Sequence, residues 1–110
     1  MQNVLASPVS VVQPTGHLNA TNAHTLQQQL TDAIAEGQSP AILVDLSQVE
    51  SLDSTALMAF VFALTFAQQS NKRFSLCGIT PTLRIIFELT QLDAVFEIFE
   101  SEFAFKTAVA

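Results

Sequence analysis

Apolar residues change their spacing several times along the chain, and each change marks an element. Val9-Ser10-Val11-Val12 is a short β-branched run that predicts a strand, with an earlier partner strand around Asn3–Ala6. Pro14 to His17 reads as a turn. Ala23, Leu26, Leu30, Ala33 and Ile34 then recur at helical spacing, with Thr21 or Asn22 as the cap and Gly37 just past the end. The glutamines between Leu26 and Leu30 fall largely on the polar face of that helix. Ala41-Ile42-Leu43-Val44 is a continuous apolar run, the mark of a strand covered on both faces. A turn over Asp45–Asp53 leads to a second helix, Ser54 to Gln69. Arg73 to Cys77 is the next strand. Thr80-Pro81 opens a third helix, because proline loses nothing at the first helical position. Leu83, Ile86 and Phe87 form its inner face. Val95 to Phe99 is a last strand, and Ser101 caps a final short helix through Val109.

Strands alternating with helices in this way predict an α/β domain with a mainly parallel sheet. A length of 110 residues suits one domain spanning 1–110 and suffices to bury a core without staples. Hydrophobic residues make up 49% of the chain, too many for a disordered regulator. Ten acidic residues against four basic ones give a net charge of −6, which argues against nucleic acid and against an anionic membrane surface. The longest apolar stretch, Ala56 to Ala67, is too short to span a bilayer and reads as a buried helix. The start of the chain, Met1-Gln2-Asn3-Val4, lacks the features of a signal peptide. One cysteine, Cys77, permits no internal disulfide and suits a reducing compartment, so the expected location is the cytoplasm.

Candidate chemistry is sparse. His17 and His24 have no cysteine or carboxylate at ligand spacing, so no metal is expected. Cys77 has no activating neighbour in sequence and reads as a small core residue. The three glycines are isolated, so no phosphate loop exists and no cofactor is implied. Asp45, Glu50 and Asp53 read as a solvated acidic turn. Nothing points to an enzyme.

The informative segment is Val44 to Leu57. A buried strand emerges there, turns, and re-enters as a helix whose natural cap is Asp53, accepting from the N–H of Thr55 or Ala56. Ser54 and Thr55 fall in the first helical turn, near the sheet's carboxyl edge, where open α/β sheets place functional groups.

Asp45-Leu46-Ser47, with Val49, Leu52 and Asp53-Ser54-Thr55-Ala56-Leu57, resembles the signature of STAS domains. Gly16-His17-Leu18-Asn19, followed by Asn22-Ala23 and Leu26, resembles the family's first helix entry. Gly78-Ile79-Thr80-Pro81 with Leu83, Arg84, Ile86, Phe87, Thr90 and Leu92 resembles its strand–Pro–helix segment. The resemblance implies a mixed, mainly parallel sheet of four to five strands, with about four helices packed mostly on one side. It also implies an anti-sigma-factor antagonist in a partner-switching pathway. Such a protein binds an anti-sigma serine/threonine kinase, is released on phosphorylation, and is restored by a PP2C-type phosphatase.

The phosphoacceptor position falls on Thr55, with Ser54 as second choice. Asn19, Asp53, Ser54, Ala56, Met58 and Phe62 would surround the docked partner. The chain departs from the family pattern at three places. Asn19 replaces an acidic residue, Ala56 a glycine, and Gln91 a glycine after the third helix. An alternative is a divergent interaction module with a non-kinase partner, such as a soluble subunit of a transporter-associated complex.

Spacing in the second helix adds a further expectation. Leu57, Phe60, Val61 and Leu64 form one apolar stripe, and Met58, Phe62 and Phe66 a second. One stripe packs on the sheet. The second is covered either by a neighbouring helix or by a partner, including a second copy in a weak homodimer.

Overall fold

The computed structural model describes residues 8–109. In chain order these form β1 (Val9–Val12), β2 (Gly16–Leu18), α1 (Ala23–Glu36), β3 (Ala41–Asp45), β4 (Val49–Leu52), α2 (Ser54–Gln69), β5 (Arg73–Cys77), α3 (Pro81–Leu89), a 3₁₀ turn (Leu92–Ala94), β6 (Glu97–Phe99) and α4 (Glu102–Val109). The main sheet has the order β1-β3-β5-β6, and every described strand pair is parallel. The strand expected around Asn3–Ala6 lies outside the described residues.

Alternation along the central strands separates two apolar layers. Ile42, Val44, Phe74 and Leu76 point to one face and meet Leu26, Leu30 and Ile34 of α1, Phe60, Ala63 and Ala67 of α2, and Leu83 and Phe87 of α3. Ala41, Leu43 and Cys77 point to the other, where Phe105 of α4 covers them. Both faces of β3 are therefore buried, as its unbroken apolar run predicts. Three helices pack on one face and the short α4 on the other.

Two segments expected to be turns are extended. Gly16–Leu18 and Val49–Leu52 pair in parallel as a separate two-stranded sheet, β2–β4. Each is too short to show a period, and their pairing joins residues more than thirty positions apart, so it has no local signal. Gly16 takes a φ of 78° at the start of β2. The final strand is also shorter than Val95–Phe99, because the 3₁₀ turn before it leaves Val95 exposed.

Helix ends follow local chemistry in most places. Thr80 caps α3 through the N–H of Leu83, and Ser101 Oγ accepts from the N–H of Ala104 at the start of α4. The start of α1 differs. Asn22 occupies the cap position, but its side chain accepts from the N–H of Asn19 and donates to the carbonyl of His17. Gly37 is extended rather than left-handed, so it does not close α1 as a Schellman glycine would. Its hydrogen side chain is needed for space, since a Cβ there would lie 2.6 Å from the Ala33 carbonyl oxygen. Lys72 Nζ donates to the carbonyls of Ile34 and Gly37, satisfying the free end of α1. Gln91 stands where the resemblance places glycine and has a φ of 63°, a conformation glycine adopts without steric penalty.

Behind the sheet, Arg73 donates two hydrogen bonds to the Glu97 carboxylate, at 2.7 and 2.6 Å. Fully buried Ser75 donates to the same carboxylate. The guanidinium also lies over the rings of Phe99 and Phe105, at 5.9 and 5.5 Å from their centroids, which ties β5 and β6 to α4. The guanidinium bonds hold the Glu97 carboxyl below its ordinary range, and burial opposes them only partly. A depressed carboxyl stabilises the fold above its unfolded pKa, and that stability is lost as pH falls through the folded value. Glu97→Gln should accordingly flatten the acid limb of a thermal-stability profile and change the neutral limb by a constant offset. An acid limb unchanged from that of the parent chain would exclude this role.

Candidate functional site

The first turn of α2 is built by Asp53. Its backbone is extended, and its Oδ1 accepts from the N–H of Ala56 at 2.9 Å. Its Oδ2 accepts from the N–H of Ala20 at 3.1 Å, and its own N–H donates to the carbonyl of Leu18. One carboxylate thus caps α2 and fastens the loop before α1 to it. Asn19 completes that loop, its carbonyl accepting from the N–H groups of Asn22 and Ala23 and its side-chain oxygen from Thr21.

This arrangement sets the starts of α1 and α2 side by side. Between them lies an open groove of about 430 Å³, lined by Ala20, Ala23, His24 and Gln27 on one bank and Thr55, Met58, Ala59 and Phe62 on the other. Ser54 and Thr55 are exposed at its α2 end. Met58 is 60% exposed and Phe62 49%, although both are large and apolar.

Among the sequence candidates, Thr55, Met58 and Phe62 are brought together in this groove. Ala56 is not: its side chain is fully buried, so it cannot touch a docked partner and instead packs beneath the helix start. The second stripe of α2 also divides. Phe66 is partly buried against the core, while Met58 and Phe62 face outward, and among the described residues no helix covers them. His24 and Ala20 had no part in the sequence-based site. For Ala23, His24 and Gln27 part of the signal was present, since they fall on one face of α1 by their spacing, whereas Ala20 lies in the loop before it.

The remaining candidates stay apart. Asp45 accepts from the N–H of Ser47 and from Gln13, Glu50 lies 3.8 Å from His17, and Asp53 is the cap. Cys77 is buried, and desolvation, with Asp45 and Glu102 nearby, pushes its thiol up to about 11, which keeps it protonated and unreactive near neutrality. Among the described residues, no helix is long and apolar enough to cross a membrane.

A parallel sheet layered between helices, with a hydroxyl-bearing helix start at an open groove, defines a small α/β domain. The chain belongs to the STAS domain family, whose pattern matches residues 2–103. It is 28% identical over 97 residues to a Thermotoga maritima protein provisionally named an anti-sigma factor antagonist, covering 88% of this chain and 86% of that one. The crystal structure of a Thermotoga maritima protein carrying the same provisional description superposes with a TM-score of 0.83 at 28% identity, covering 92% of this chain and 86% of that one. The crystal structure of an anti-sigma factor antagonist from Mycobacterium paratuberculosis gives a TM-score of 0.82 at 29% identity, over 96% of this chain and 91% of that one.

Proposed function

We propose that this chain is an anti-sigma-factor antagonist that binds an anti-sigma serine/threonine kinase and is released when that kinase phosphorylates Thr55. The observation that carries the reading is the exposed Thr55 hydroxyl at the mouth of a groove flanked by exposed Met58 and Phe62. An apolar face beside a modifiable hydroxyl suits a contact that a charge can break. In the transfer, the γ-phosphoryl of ATP passes to Thr55 Oγ, the hydroxyl proton leaves, and ADP is released. A PP2C-type phosphatase hydrolyses the ester and restores the free hydroxyl, and the cycle runs in the cytoplasm. Because Asp53 already caps α2, and a helix N-terminus tolerates negative charge, the modification changes the surface and leaves the helix in place.

The test is phosphopeptide mapping after incubation with ATP and the kinase captured from native cells on the unmodified chain. Thr55→Ala should abolish incorporation, and Ser54→Ala should retain it. Label on Ser54 alone, or none with a kinase that binds, would overturn the assignment of Thr55, whereas capture of no kinase would favour a module with a non-kinase partner.

A further inference from the structure

The groove raises the question of what receives a phosphate once it is attached to Thr55. The chain has four lysines and arginines, and none lines the groove. Lys72 is bound to the end of α1, Arg73 to Glu97 and Lys106 to Glu102, while Arg84 lies on α3. His24 is the one side chain in the lining that can become cationic, and it lines the α1 bank of the groove whose α2 bank includes Thr55. Neither is buried.

We infer that His24 is the phosphate partner of modified Thr55: its protonated imidazole holds the phosphate across the groove. The inference rests on the reading of Thr55 as the modified residue. A phosphomonoester has its second ionisation near pH 6 and imidazole titrates close by, so near neutrality each favours the charged form of the other. The pairing lays a dianion over the space between Met58 and Phe62, the face left open in the unmodified chain. Two carboxylates bear on the same groups. Asp53 caps α2 beside Thr55, and Asp32 shares a shallow depression on α1 with His24. Asp53 opposes the phosphate charge, whereas Asp32 stands about 12 Å from His24 along the α1 axis and accepts a hydrogen bond from Gln28, so its effect on the imidazolium is small. Both are present with or without the imidazole, so removing His24 isolates its contribution.

The experiment uses the full chain with phosphothreonine installed at position 55 during translation, so that no kinase is needed. The ³¹P signal is followed through a pH titration for that chain and for its His24→Gln and His17→Gln forms. His17 serves as the control because it bonds to Ser51 on the β2–β4 sheet, outside the groove. The phosphate titration midpoint should rise by about one pH unit in His24→Gln and stay unchanged in His17→Gln. Circular dichroism checks that each variant is folded, and His24→Asn repeats the measurement if His24→Gln is not. Equal midpoints with and without His24, or an equal rise on losing His17, would overturn the pairing. Failure of the kinase to modify Thr55 would instead count against the proposed function, and the midpoint difference is read independently of it.

Discussion

Phe60→Ala should cost about 3–5 kcal/mol of folding stability, while Phe62→Ser, two residues along the same helix, should cost only about 1 kcal/mol. Phe60 has no exposed surface and packs among helix and strand residues of the main core. Truncating it leaves a void that close-packed neighbours only partly fill. That loss is a large share of the roughly 5–15 kcal/mol that holds a domain of this kind together. Phe62 already has half its surface in water, so serine gives up only the other half of its burial and opens no enclosed void. Its effect should appear in binding instead, as a drop in affinity for the captured kinase. Phe66→Ser belongs between the two, because Phe66 is partly buried against the core and its loss is felt by the fold. Thermal denaturation and titration calorimetry on the three variants separate these effects. Loss of fold in Phe62→Ser would make the groove ordinary core and move the docking face elsewhere.

Thr55→Glu should weaken kinase binding about tenfold or more, equivalent to about 1.4 kcal/mol, with the fold retained. The new carboxylate sits beside Asp53 on a chain whose net charge is already −6. Any interface covering the groove must desolvate it, and an unpaired buried charge typically costs several kcal/mol. The helix itself gains slightly, since negative charge near its N-terminus is favourable. Glutamate has one negative charge and a phosphate nearly two, so the phosphorylated chain should bind more weakly still. Calorimetry of the unmodified, Thr55→Glu and phosphorylated chains against the kinase measures the series. Identical affinity across all three would remove the switch from the mechanism.

The molecule divides between what was legible along the chain and what was not according to the range of the interactions involved. The bounds of α2, its Asp53 cap, the Thr80-Pro81 start of α3 and the Ser101 start of α4 are settled within a few residues. A cap bonds to an N–H two or three positions away, and a helical stripe repeats within one turn, so sequence suffices for both. The two-faced burial of β3 was readable for the same reason, since every residue in its run is apolar. Thr55 was singled out through a motif whose order survives in the chain even though Ala56 and Gln91 depart from it.

Tertiary structure decided the rest. Gly16–Leu18 and Val49–Leu52 become strands only because the fold lays them together, and neither has enough length to declare itself. Asn22 looks like a cap, but its side chain is drawn into the Asn19 loop, which Asp53 anchors from far along the chain. Within one helix, Phe66 turns to the core while Met58 and Phe62 remain outside, because the sheet and neighbouring helices reach only part of the α2 surface. His24 and Thr55 line one groove for a reason no local pattern contains: one carboxylate, Asp53, fixes the starts of two helices beside each other and leaves a groove between them.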